Sequence, residues 1–388
     1  MKKCMMLVLC LALLCGTVFA APAPDHPAVR FQLTENLASS ISWPVLEGLP
    51  DPAVQQAVQL ALDERGGLAQ YQAILQSMTD PQATPLVVTS EALLLPSAQQ
   101  PLVLAVRIAA SGRIGPGRPG HRITAMTFEL ATGRAIAWKN IAQSADAAQE
   151  QLEQLIDQQV APELSSYLDA SGLLPLAVDQ IFLNESGITF YYPAEQMAFL
   201  SGQPGSVHFL YSALQPILQP AEGSLLAMLI HQATALDEGG TRELLERAGQ
   251  GELPGIPIKL GDDTATTLAA FPPMVDADVF PGGEKYLPEE GRFRETALIA
   301  STAEPSTIIG ILSRRSNARG LVTGVTARTD AMAAFGEPQA SLPMDADLAS
   351  LYGLQPGTLD VYGTGEHELI LCYDEPGVLQ ALWLRNPQ

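Results

Sequence analysis

QIFLNESGITFYYPAEQMAFLSGQPGSVHFLYSAL, residues Gln180 to Leu214, is the part of the chain around which the rest is built. Ile181-Phe182-Leu183 and Ile188-Thr189-Phe190-Tyr191-Tyr192 are β-branched and aromatic runs. The residues between them, Asn184-Glu185-Ser186-Gly187, are turn formers that tolerate positive φ, so the two runs read as a hairpin. Val207 to Tyr211 reads as a third strand. From Pro193 to Ser206 the chain passes through a short amphipathic segment closed by Gly202, Pro204 and Gly205. Strand alternation buries one residue of each neighbouring aromatic pair and turns the other outward.

Upstream, Arg30 to Thr34 and Ser39 to Trp43 read as strands, the second closed by Trp43-Pro44-Val45. From Asp51 the apolar spacing becomes helical, with Asp51-Pro52 a helix start and Gly66-Gly67 a break between two helices. Pro85 to Leu95 and Leu102 to Ala110 are further strands, and the loop from Ser111 to His121 is rich in glycine and proline. A helix is expected from Ser144 to Leu168, with Leu152, Leu155, Ile156, Val160 and Leu164 on one side. Pro216 to Ser224 reads as a linker, followed by short helices.

The last part of the chain repeats itself. Residues Glu295 to Arg314 align with Glu366 to Arg385 at an offset of 71, pairing Leu298 with Leu369, Ile299 with Ile370 and Ile311 with Leu382. Leu268 to Pro272 align with Met332 to Gly336 at an offset of 64. Each unit is a glycine turn, a short helix ending in Phe, a variable loop and a β-hairpin, and two units can bury each other's sheet faces where one could not. The expected fold class is therefore α+β. It comprises an N-terminal antiparallel sheet with packed helices over residues 21–215, a linker with short helices over 216–253, and a tandem repeat over 254–319 and 320–388.

Residues 1–20 read as a signal peptide: Lys2-Lys3, then the apolar run Met5 to Leu14, then Val18 and Ala20 as the small residues a signal peptidase needs. Cleavage after Ala20 leaves Cys372 as the only cysteine, which excludes an internal disulfide and a cysteine-based metal site. No later apolar run reaches the roughly 18 residues of a membrane span. The formal charge is −21, or −23 without Lys2 and Lys3. Such a surface repels nucleic acid and anionic wall polymers and steers cationic proteins toward it. The expected location is extracytoplasmic, secreted or at the cell envelope.

Two resemblances extend this reading. The order of hairpin, aromatic pair, glycine-closed loop and strand ending in Tyr-Ser-x-Leu resembles the RsiV-like family, the lysozyme-sensing ectodomains of anti-sigma factors. Gly120-His121 followed by Phe128-Glu-Leu-Ala-Thr-Gly-Arg134 is similar to a second block of that family. The tandem units, best matched by TDAMAAFGEP from Thr329 to Pro338, resemble the fold shared by β-lactamase inhibitory proteins and small outer-membrane lipoproteins. The first resemblance implies a protein partner, a cationic muramidase, contacted by loops around the sheet. The residues it suggests for that contact are Phe199, Tyr191 and Tyr192, and the Gly/Pro loop with His121 and Arg118 is a second candidate contact surface, whose arginines would suit an acidic partner.

No catalytic constellation stands in a supporting context: there is no Gly-x-Ser-x-Gly elbow, His-Glu-x-x-His, Walker loop or dinucleotide fingerprint. His26, His121, His208, His231 and His367 lie far apart in sequence. Asp262-Asp263 caps a helix more readily than it holds a metal. The expectation is a non-enzymatic binding or sensing protein without a cofactor or metal. Two other readings stay open: an inhibitor of a secreted hydrolase, and an envelope hydrolase with an unrecognised site.

Overall fold

The computed structural model describes residues 26–95, 101–115, 119–142, 144–159, 175–192, 205–270, 278–280, 283–288, 295–314 and 316–387. The expected signal peptide, and the helix end expected at 160–168, lie outside these residues. The fold is α+β, and the N-terminal half is built on a five-stranded sheet in the order β1-β2-β3-β4-β5. Its strands are β1 (Ala28–Asn36), β2 (Ser39–Glu47), β3 (Leu86–Leu95), β4 (Val103–Gly112) and β5 (Gly120–Glu129).

Helices α1 (Pro52–Gly66) and α2 (Leu68–Ser77) connect β2 to β3. Asp51 caps α1 by accepting from the amides of Ala53 and Val54, and Gly67, at φ 83°, ends it. This helical crossover makes β2 and β3 parallel, through Ser40 with Val87 and Ile41 with Val88, whereas every other neighbouring pair in the sheet is antiparallel. Because that ladder is so short, Pro44 costs β2 no pairing with β3. The strand therefore runs on to Glu47 instead of closing at Trp43 as expected. One face of the sheet packs Ile41, Trp43, Val106 and Phe128 against Val58, Leu62, Tyr71 and Leu75 of the two helices.

The other face receives residues 180–214. Strands β6 (Ile181–Leu183), β7 (Gly187–Tyr191) and β8 (Ser206–Leu210) form an antiparallel sheet of their own. With α3 (Ala145–Gln159) and α4 (Tyr211–Leu218) they share a core with Val103, Ala105 and Ala125. The β6–β7 turn is closed by a side chain, not by positive φ: Asn184 Oδ1 accepts from the amides of Ser186 at 2.8 Å and Gly187 at 2.7 Å. Glycine is needed at 187 because a Cβ there would meet the carbonyl oxygen of Phe209 at 2.0 Å.

The segment read as a linker is folded into both halves. Pro216 lies inside α4. Helix α5 (Leu225–Thr234) sends Leu226, Leu229 and Ile230 into the core that holds Phe190 and Tyr192. Helix α6 (Glu238–Gly249) sends Leu244 and Ala248 into the core of the C-terminal half, beside Leu298 and Leu371.

That half is an eight-stranded sheet in the order β15-β16-β17-β18-β12-β11-β10-β9. The first copy supplies α7 (Thr264–Ala270), β9 (Asp278–Phe280), β10 (Gly283–Tyr286), β11 (Thr296–Ser301) and β12 (Ile308–Ser313). A small ribbon, β13 (Asn317–Ala318) with β14 (Leu321–Val322), leads to the second copy. The second copy supplies α8 (Arg328–Phe335), β15 (Ala340–Met344), α9 (Ala346–Tyr352), β16 (Gly357–Gly363), β17 (Glu368–Asp374) and β18 (Leu379–Arg385).

Equivalent backbone bonds recur in the two copies. The amide of Thr264 donates to Ser306 O, and that of Arg328 to Gly377 O. Ile308 N donates to Asp262 O, and Leu379 N to Thr326 O. These fix the helix offset at 64 and the β12-to-β18 offset at 71. Strands β12 and β18 pair with Leu312 opposite Trp383, which are themselves equivalent at that offset, so a pseudo-twofold passes through this pair.

Two expected equivalences shift, Leu298 with Leu369 and Ile299 with Ile370. The hairpin bulge falls at Ile299/Ala300 in one copy and Cys372/Tyr373 in the other, so Leu298 corresponds to Leu371 and not to Leu369. The cause is a connection two residues longer in the first hairpin, between the pairs Ala300–Ile308 and Tyr373–Leu379. An even slip preserves the buried face, so Leu298, Leu369 and Leu371 all join one core.

Candidate functional site

Of the residues suggested for partner contact, Tyr191 and Tyr192 are buried at 6% and 1% exposure. All five residues of β7 are buried because the strand has the large sheet on one side and α4 and α5 on the other, which removes the alternation expected of a half-solvated strand. Phe182 packs edge-on to Tyr191 at 6.3 Å, and the Arg107 guanidinium lies 5.6 Å from the Tyr191 ring centre. His121 is half-buried near the start of β5, opposite Ser111. Phe199 and Arg118 lie outside the described residues. Asp263 caps α7, its Oδ2 accepting from the amide and hydroxyl of Thr266 at 2.8 and 2.6 Å, which hold its carboxyl below the usual range. Among the described residues no three His, Cys, Asp or Glu side chains are placed to hold a metal ion. No described helix is long and apolar enough to cross a membrane.

Two features were not singled out as contact residues from the sequence. The first is β1, the outer strand of the five-stranded sheet, whose far edge carries no paired neighbour among the described residues. Phe31 and Leu33, two apart and so on one face of the strand, are 47% and 60% exposed, and Leu37 in the β1–β2 turn is 54% exposed. Three other sheet edges are protected. Pro343 sits within edge strand β15, and β9 has three residues. β5 is covered by residues 180–181, with Gln180 Oε1 accepting from the Ala125 amide at 2.9 Å and Thr127 Oγ1 donating to Ile181 O at 3.0 Å. β1 has neither proline nor lysine, and its charges are Arg30, paired with Glu47 of β2, and Glu35.

The second feature is a cleft of about 390 Å³ between the turn that follows β5 and the turn between α4 and α5. The turn is tight because Gly133, at φ 70°, lets its amide reach Glu129 O at 2.8 Å, while the Glu129 amide donates to Arg134 O at 2.9 Å. Glu129 and Arg134 therefore stand side by side at the rim. Glu129 Oε2 accepts from Thr132 Oγ1 at 2.6 Å, and Arg134 forms no ion pair among the described residues. The floor is aliphatic: Ile136, Ile141, Leu183, Leu225 and Leu226. The sequence did draw attention to Phe128–Arg134, though only as a block shared with a family.

No family model matches the chain, and no curated protein does. Among solved structures it is similar to a DUF3298 family protein of Bacteroides fragilis, BF2082, at 12% identity and a TM-score of 0.34, over 52% of this chain and 95% of that one. It is similar to a DUF3298 family protein of Pseudomonas aeruginosa, PA4972, at 12% identity and a TM-score of 0.34, over 52% of this chain and 96% of that one. A DUF4309 family protein of Bacillus subtilis, YjgB, has 16% identity and a TM-score of 0.30, over 39% of this chain and 99% of that one. Likeness this remote transfers no role.

Proposed function

We propose that this chain is an exported, non-enzymatic binding protein of the cell envelope and that its partner is a cationic protein of the muramidase class. Export rests on the signal-like residues 1–20, and the partner class rests on the RsiV-like motifs of residues 120–134 and 180–214. The observation that carries the reading is the outer edge of β1, which has no paired neighbour among the described residues, with Phe31 and Leu33 exposed on one face in a chain of net charge −21. An unpaired edge offers backbone donors and acceptors to an added strand, and the neighbouring apolar side chains supply contact area. The acidic surface steers a cationic partner and raises its association rate at low salt.

The test is surface plasmon resonance of residues 21–388 against a cationic lysozyme at low and high salt. Saturable binding is expected, with an association rate that falls as salt rises. Phe31→Ser should speed dissociation by about tenfold or more, the effect of losing 1–3 kcal/mol at an interface anchor. Absence of binding at low salt overturns the proposal.

A further inference from the structure

We infer that the cleft between the Glu129–Arg134 turn and the head of α5 is a binding site for a free aliphatic α-amino acid. Its volume of about 390 Å³ is that of a small-ligand site, a class that spans roughly 300–1,000 Å³. The floor of Ile136, Ile141, Leu183, Leu225 and Leu226 carries no charge and no aromatic ring, which suits a branched aliphatic side chain.

The rim sets the other end of the ligand. Glu129 and Arg134 are neighbours across a two-stranded turn, joined through the Glu129 amide and Arg134 O at 2.9 Å, yet they make no ion pair with each other. Two opposite charges held side by side match a molecule whose ammonium and carboxylate sit on one carbon. A simple anion would meet Glu129 and the −21 charge of the whole chain, and a simple cation would meet Arg134. Ser224 Oγ caps α5 through the Ala227 amide at 3.2 Å, which leaves the amides of Leu225 and Leu226, residues that also line the cleft, without partners inside the helix.

Calorimetric titration of residues 21–388 with L-leucine, L-leucinamide, 4-methylpentanoate and L-serine tests this site. Leucine is expected to bind saturably. The amide lacks the carboxylate and 4-methylpentanoate lacks the ammonium, and each should bind at least about tenfold more weakly, as should serine, which leaves the floor empty. Arg134→Ala and Glu129→Gln should each weaken leucine by at least about tenfold with the melting temperature unchanged, since neither side chain is in the core. No saturable binding of leucine at millimolar concentration overturns the inference, as does equal binding of leucine and its two singly charged analogues. Lysozyme binding at β1 uses different residues, so either proposal can fail without the other.

Discussion

Glu185 stands in the turn that Asn184 closes, and its carboxylate leaves the N-terminal half to accept from Arg247 Nη1 at 2.8 Å and from the Gly255 amide at 2.6 Å. Both side chains are largely shielded, at 15% and 17% exposure, so this contact between halves is worth more than a surface pair. Glu185→Ala is expected to cost about 1.5–3 kcal/mol, the range for hydrogen bonds to a charged group. Arg247→Ala should cost a similar amount, and the double variant clearly less than the sum, read from urea midpoints in a double-mutant cycle. A purely additive cycle would show that the two side chains do not act together. Asp360 is a stricter case. It is fully buried and takes Arg328 in two bonds, at 2.7 and 2.9 Å, with Ser341 Oγ at 2.6 Å. Asp360→Ala leaves Arg328, a third exposed, to solvent, and a loss of about 1.5–3 kcal/mol is expected from chemical denaturation.

At the scale of elements, helices α1 and α2 were legible because Asp51, Pro52 and Gly67 are local signals whose effect needs no tertiary context. The hairpin at 180–191 was legible for the same reason. The exposure of its aromatics was not, since burial of both Tyr191 and Tyr192 depends on what covers β7 from above and below. For β1 the strand itself was legible, whereas the exposure of Phe31 and Leu33 follows from the position of β1 at the end of the sheet. Pro216 was read as a breaker, yet α4 contains it, because Leu214 and Leu218 on either side are both buried. The stability contrast is direct. Phe31→Ser with Leu33→Ser should leave the unfolding midpoint nearly unchanged, whereas Phe190→Ala, at 0% exposure, should cost about 3–5 kcal/mol.

Across the whole molecule, the C-terminal half shows how a sequence repeat becomes one structure. The offset of 71 survives in β12 and β18 because those strands meet at the pseudo-twofold, while the extra length of the first hairpin connection displaces β11 by two residues. Sequence alignment alone could not place that slip, because Leu369 and Leu371 both point into the same core. Burial also shapes the alkaline limit of stability. It pushes the Cys372 thiol up to about 12, and the Tyr352 and Tyr362 hydroxyls up to about 12 as well. Above about pH 9 the unfolded chain releases these protons while the folded chain keeps them, so stability is complete below that pH and falls as pH rises toward 12. Urea midpoints at pH 8 and 10.5 should show the fall, and Cys372→Ala should reduce it.

Hydrogen exchange of residues 21–388, read by mass spectrometry with and without a saturating cationic lysozyme, tests the central claim most directly. Added protection of the β1 amides, Ala28–Asn36, is expected, because a strand laid on this edge pairs groups that have no strand partner among the described residues. Unchanged exchange across β1 in the presence of lysozyme would contradict it.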